Sequence, residues 1–218
     1  MLETRRNMTL TIQIEKNTFI MHPTGALFWE DQNALLISDV HLGKVSHFRK
    51  HGVAIPGNAV SKNFHQMNKA IAHFKPAKIF FLGDLFHSVM NNEWELFEEW
   101  LSLMQPVVIL IAGNHDIIHF SYYEKLNVKV HNELTIDNFL LTHHPTDREH
   151  FFNFSGHIHP AVLMRGVGRQ YLKLPCFFKK PNQMILPAFG EFTGTYYMIP
   201  TEHDCVYAII EDEVIVVC

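Results

Sequence analysis

Apolar and polar positions alternate in short blocks near the start of the chain and then change rhythm. Leu10 to Ile14, Phe19 to Met21 and Ala26 to Trp29 read as short β segments, separated by the turn formers Lys16-Asn17 and Pro23-Thr24-Gly25. Ala34 to Ile37 is an unbroken apolar run that ends in Ser38-Asp39, as a strand buried on both faces would. After a loop holding Pro56-Gly57, the apolar residues Val60, Phe64, Met67, Ile71 and Phe74 recur at spacings of 4, 3, 4 and 3. That stripe predicts an amphipathic helix laid on a sheet, closed by Pro76. Ile79 to Leu82 predicts a second buried strand, Trp94, Phe97, Leu101 and Met104 a second helix, and Val107 to Ala112 a third strand. Strand, helix, strand, helix, strand implies right-handed crossovers and a parallel sheet covered by its helices. Beyond Gly113 the pattern is β-rich: Phe139 to Leu141, Phe151 to Phe154, Tyr171 to Leu174, and a closing hairpin of Val206 to Ile210 with Val214 to Val217. An α/β first half beside a mostly β second half predicts two stacked sheets flanked by helices. No repeat, linker or composition shift divides the chain, so one domain is expected over residues 1–218.

Polar clusters stand just beyond the ends of these apolar runs: Asp39-Val40-His41, Gly83-Asp84, Gly113-Asn114-His115-Asp116, His143-His144 and Gly156-His157-Ile158-His159. The carboxyl ends of strands in open α/β sheets form the crevice where ligands bind, so separate clusters there can converge on one point. Asp39 and His41 are two residues apart, and in an extended segment both would point to one side and grip one ion; His157 and His159 repeat the spacing. Gly83, Gly113 and Gly156 each precede a cluster residue, which lets the backbone approach closely. Any one cluster has a bland reading, since an Asp-x-His after a strand is more often a loop start. The ordered combination carries the signal.

Composition sharpens this picture at three points. Sixteen histidines among 218 residues supply the commonest metal ligand. Carboxylate, imidazole and amide oxygen suit a transition-series divalent ion, Mn first with Fe, Zn or Co open. Seven candidate ligands, Asp39, His41, Asp84, Asn114, His143, His157 and His159, exceed what one ion takes but suit two if Asp84 bridges. Bridged ions lie roughly 3.5 to 4 Å apart. Three scattered cysteines, Cys176, Cys205 and Cys218, give neither a disulfide framework nor a thiolate site. With no apolar run of membrane-spanning length and no secretory signal in MLETRRNMTL, a cytoplasmic protein without a membrane partner is expected. The net charge of -4 means that any polyanion must be attracted locally.

The order DxH, GD, GNH, H and GHxH resembles the calcineurin-like metallophosphoesterase superfamily, over the stretch from Asp39 to His159. The longer strings ISDVHLGKVSHFRKHG, FLGDLFHS, AGNHDI, SGHIHPAV, LPCFF and LPAFGEFTG are similar to bacterial ligase-associated DNA-damage-response endonucleases of the PdeM family. The resemblance implies a four-layer α/β/β/α sandwich and a DNA endonuclease linked to repair. It implies association with a repair ligase or helicase. It also implies that Asp39, His41, Asp84 and His159 hold one metal, that Asp84, Asn114, His143 and His157 hold the other, and that His115 is the catalytic histidine. A metal-bridging hydroxide would then attack phosphorus while His115 serves the leaving oxygen. The chain departs from the pattern at His87, where many members carry a second acid three residues after the motif aspartate. His144 adjoins His143, and which of the two is the ligand stays open.

The basic run Lys44, His47, Arg49, Lys50 and His51 follows the first cluster and could meet a substrate phosphate, with His87 beside it; Phe48, Phe151 and Phe152 could stack bases, although phenylalanines are more often core. Lys179-Lys180 and the Arg165-Arg169 segment have no assigned place. Two other readings stay open. A small-molecule phosphoesterase resembling UDP-diacylglucosamine hydrolases shares the SD-x-HL and GDLF strings, but those enzymes typically carry Arg where His115 stands, and a helical insertion. A non-catalytic scaffold of the same fold, like a retromer subunit, would usually have lost ligands that are all present here.

Overall fold

A computed structural model describes residues 8–45, 48, 59–165, 168, 170–191 and 193–217. The first sheet runs in chain order through β1 (Leu10–Ile14), β2 (Asn17–Met21), β3 (Leu27–Trp29), β4 (Ala34–Ile37), β5 (Lys78–Leu82), β6 (Val107–Ile111) and β7 (Lys129–His131). Its first four strands are antiparallel neighbours, whereas β4 through β7 are parallel. The parallel strands are joined by α1 (Ala59–Phe74), α2 (Asn92–Ser102) and α3 (Phe120–Lys125). The remaining strands are β8 (Leu134–Ile136), β9 (Phe139–Leu141), β10 (Phe152–Ser155), β11 (Pro160–Arg165), β12 (Tyr171–Lys180), β13 (Gln183–Ile185), β14 (Tyr196–Tyr197), β15 (Cys205–Ile210) and β16 (Glu213–Val216). They form a second mixed sheet in the order β14-β11-β12-β13-β10-β9-β8, with β15 and β16 added through β12.

Alternation within the buried strands builds the layers. Leu35, Ile37, Ile79, Phe81, Val108 and Leu110 face Met67 and Ala70 of α1, Trp94, Phe97 and Trp100 of α2 and Tyr123 of α3. The intervening residues Leu36, Phe80, Leu82, Ile109 and Ile111 face the second sheet and meet Phe139, Leu141, Phe154, Phe177 and Met184. Rings fill that interface: Phe19 lies 4.8 Å from Phe154, and Trp29 lies 4.8 Å from Phe139. On the far side of the second sheet Val162, Leu174, Cys176, Phe178, Val206 and Ala208 form a third cluster. Two stacked mixed sheets in an α/β sandwich are therefore as expected. Among the described residues no helix is long and apolar enough to cross a membrane.

Several short elements escaped the sequence pattern for physical reasons. β7 and β8 are three-residue strands with no fully buried position, and α3 is barely more than one turn, so none displays a period. β12 runs on past Leu174 because Pro175 is tolerated where the strand changes partner, from β11 over Tyr171 to Pro175 to β15 beyond Cys176.

One buried histidine outside the polar clusters, directly after β2, gives the fold a pH dependence. His22 has no exposed surface and accepts the Thr24 N–H at 3.2 Å. Burial, followed by the positive charges of His73 and Lys69, pushes its pKa down from 6.5 to about 4. The unfolded chain therefore takes up a proton in that window that the folded chain refuses, and stability falls as pH drops from 6.5 to about 4. Replacing His22 by Gln is expected to flatten this loss by roughly 1–3 kcal/mol. Urea midpoints at the two ends of the window measure it, and an unchanged slope would contradict the assignment.

Candidate metal centre

β4, β5 and β6 run parallel in the first sheet and β9 and β10 run parallel in the second, so their carboxyl ends present Asp39, Asp84, Asn114, His143 and His157 along one edge of the sandwich. Backbone bonds continue past the strand ends: Asp39 N–H donates to Gly83 O at 3.1 Å and His41 N–H to Asp84 O at 2.9 Å. The carboxylates then stitch the strand ends, Asp39 across the two sheets and Asp84 between β5 and β6 of the first. Asp39 Oδ2 accepts the His157 N–H at 2.9 Å, and Asp84 Oδ1 accepts the His115 N–H at 2.8 Å.

The segments are not extended, as the two-residue spacing suggested. Asp39, His41, Asp84, His157 and His159 all hold left-handed backbone, with φ between 51° and 65°. Asp and His are among the residues that tolerate this region, and strain of this kind, about 1–3 kcal/mol per residue, gathers at functional sites. The consequence is that His157 and His159 do not grip one point. His159 joins Asp39 and His41, while His157 joins His143 and His144. A third group, Asp39, Asp84 and His143, connects the first two.

Imidazole orientation explains what these groups suit. His143 Nδ1 is 3.0 Å from the Leu82 carbonyl and His159 Nδ1 is 3.0 Å from that of Gly194, so in each ring Nδ1–H donates outward and Nε2 turns a lone pair inward. His143 Nε2 then faces Asn114 Oδ1 at 3.0 Å, His157 Nδ1 at 3.2 Å and Asp84 Oδ1 at 3.5 Å. His159 Nε2 faces Asp39 Oδ1 at 3.1 Å. Acceptors turned on acceptors repel unless a cation lies among them, and separations near 3 Å are those of ligands sharing an ion at about 2.0–2.2 Å. Asp39 Oδ1, His159 Nε2 and both ring nitrogens of His41 are buried without a hydrogen-bond partner, each costing about 1–3 kcal/mol unless compensated. The residues thus fit divalent ions. Burial first, then the charges of Lys44, His159, His87 and His115, lowers the His41 pKa to about 2 and keeps that ring neutral and able to ligate. Burial likewise lowers His157, with His144 and His143 adding to it.

Close approach explains the glycines. Gly83 has φ 83°, and a Cβ there would overlap the His143 ring; at Gly113 and Gly156 it would overlap the carboxylates of Asp84 and Asp39. A brace that the motifs did not reveal is Asp116, buried, whose carboxylate accepts the Phe86 and Gly113 amides at 2.9 Å each and so ties the Asp84 loop to the Asn114 loop. Desolvation raises its pKa to about 6 against those two bonds.

The remaining candidates divide. His115 and His87 stand at the site, stacked at 4.7 Å, with His41 at 5.5 Å and 5.3 Å from their rings. Lys44 is half-buried within the field of Asp84 and Asp39. His144 is exposed and enters the His143 group from outside, whereas His143 alone of the pair also reaches Asn114 and Asp84. His47, Arg49, Lys50 and His51 lie outside the described residues. Phe152 is core, facing the first sheet, and Phe151 precedes β10 at the strand end opposite His157, so neither stacks a base at this site.

A family model described as calcineurin-like phosphoesterase matches residues 33–169. Among solved structures, the nuclease MPE of Pseudomonas putida is 27% identical over 92% of this chain and 96% of its own, with a TM-score of 0.80. Yfce, a phosphoesterase from E. coli, is 14% identical over 71% of this chain and 77% of its own, with a TM-score of 0.38. A protein of unknown function from Aquifex aeolicus is 18% identical over 58% and 78%, with a TM-score of 0.43. Among curated proteins none matches.

Proposed function

The chain belongs to the calcineurin-like phosphoesterase family, and from that premise we propose that it is a phosphodiesterase acting on nucleic acid, DNA foremost, through two divalent metal ions. Asp39, His41, Asp84 and His159 would hold one ion and Asp84, Asn114, His143 and His157 the other. The observation that carries this reading is the connecting group: Asp84 turns Oδ2 toward His41 at 3.8 Å and Oδ1 toward His143 at 3.5 Å, one carboxylate serving both sides. The nuclease reading draws on the likeness to the Pseudomonas putida nuclease along nearly the whole of both chains. The mixed nitrogen and oxygen set favours Mn, with Fe, Zn or Co able to substitute.

Bound there, such ions supply Lewis acidity, drawing charge from phosphate oxygens and lowering the pKa of water from about 15.7 toward 7. The chain's own residues do the rest. Asp39 and Asp84 would offset half of the added charge, leaving a local net charge of about +2 that attracts a phosphate to an otherwise acidic protein. Leu82 and Gly194 hold the two imidazoles with their lone pairs inward. The Asp84 carboxylate fixes the backbone of His115, whose ring gives a proton to the departing oxygen of the ester, and His87 stacks behind that ring. Lys44 neutralises charge on the bound phosphate.

Turnover of a bis-aryl phosphodiester, an aryl monoester, a UDP-lipid and single-stranded DNA with Mn tests the proposal. Cleavage of the diester and the DNA is expected, with the monoester at least 10-fold slower. Activity confined to the UDP-lipid or the monoester would sink it.

A further inference from the structure

β11, the leading half of β12, and β14 stand out from the second sheet as a three-stranded flap, and among the described residues no layer covers its outward face. Register assigns the faces. Leu163 pairs with Lys173, Arg165 with Tyr171 and Ala161 with Tyr197, so Leu163, Arg165, Tyr171, Lys173 and Tyr197 share one face. Val162, Met164 and Leu174 take the other and pack into the third apolar cluster. Tyr171 is 60% exposed and Tyr197 44%, too open for rings whose task is packing. The charge here is also unlike the rest of the protein. From His150 to Gly190 the sequence contains five of its 18 Lys and Arg and none of its 22 Asp and Glu.

The flap begins at the metal centre. β11 starts directly after His159, Tyr196 N–H donates to His159 O at 2.8 Å, and the His159 ring leans on the Gly194 carbonyl. Lys173 Nζ donates to the next carbonyl, that of Thr195, at 2.5 Å, which leaves two of its protons for a further acceptor. The cationic edge of this face therefore lies one peptide away from an imidazole of the site. From Ala161 to Arg165 the face extends roughly 13 Å away from it.

Resting on the nucleic-acid reading above, we infer that this face is the platform for the polynucleotide strand leaving the scissile phosphate, a single strand with bases stacked on Tyr197 and Tyr171 and phosphates met by Lys173 and Arg165. A phosphodiester within a chain continues on both sides of the bond that breaks, so the surface touching the centre must receive it. Exposed aromatic rings between cations bind an unpaired strand by stacking plus charge, without reading sequence. A duplex would hide the base faces from these rings.

The test compares kcat/KM on an oligothymidylate with kcat/KM on a bis-aryl phosphodiester for the wild type and variants, with Mn. For Tyr171→Ala/Tyr197→Ala the ratio of the two is expected to fall about 10-fold or more, while Tyr171→Phe/Tyr197→Phe, which retains the rings, keeps it. Lys173→Ala should lower the ratio and weaken its salt dependence. If the wild type cleaves the oligomer and the alanine pair leaves the ratio unchanged, the platform is overturned and the nuclease reading stands. A wild type that hydrolyses the bis-aryl diester but no oligonucleotide, or neither, overturns both. A wild-type dimer on size exclusion that the alanine pair dissociates would give the face to a second copy of the chain and overturn the platform.

Discussion

Asp84→Ala is expected to abolish turnover, by at least about 1,000-fold, and to cut the metal content from two ions per chain to one or fewer. Its carboxylate turns one oxygen to each side of the centre, with Oδ2 near His41 and Oδ1 near His143. Asp84 is also nearly inaccessible, and a buried carboxylate without its cation is a cost to the fold. Its removal should therefore leave the metal-free protein as stable as the wild type, or more stable, while reducing the rise in melting temperature on adding Mn. That pattern separates a lost site from a damaged fold. Asp84→Asn keeps an oxygen for the His115 N–H, so failure of the amide as well would assign the loss to charge and ligation rather than to the loop. Elemental analysis of the purified variant and a bis-aryl diester assay decide it; two retained ions or wild-type turnover would end the two-metal reading.

How the residues gather was legible in the sequence, and how they are held was not. Apolar runs ending in polar clusters gave the strand ends, because a parallel strand buried on both faces must be apolar until it reaches the crevice. The two-residue spacing did not reveal the partition of the GHIH segment, which only the family resemblance implied, because it depends on left-handed backbone at His157 and His159 that no local rule assigns to histidine. Asp116 shows the same limit in another way. It sits in the GNHD string as one more acid, and only the contact between two loops thirty residues apart in sequence turns it into a brace. Gly190 lies in the LPAFGEFTG string with no local sign of a role, yet a Cβ there would overlap the Val40 carbonyl, and its N–H donates to Asp39 O at 3.0 Å. Glycines of this kind are set by what arrives from across the fold. The phenylalanines fail for the opposite reason: aromatic residues beside a cluster look like ligand contacts, but burial against the facing sheet claimed Phe152 first.

The His115→Ala variant should behave unlike Asp84→Ala, and the contrast tests whether His115 moves a proton or merely fills space. Its backbone N–H, which Asp84 accepts, survives the substitution, and its ring is absent from all three groups of converging ligand atoms. Both ions should therefore stay, and the Mn-induced rise in melting temperature with them. The missing proton donor costs about 100- to 10,000-fold in kcat on a substrate with a poor leaving group such as DNA. On a bis-aryl diester, whose leaving group departs without a proton, the loss should be far smaller. A packing role predicts equal losses on both substrates; a ligand role predicts loss of metal. If DNA cleavage keeps its rate without the ring, the proton belongs to another group, with His87, stacked 4.7 Å behind, next in reach.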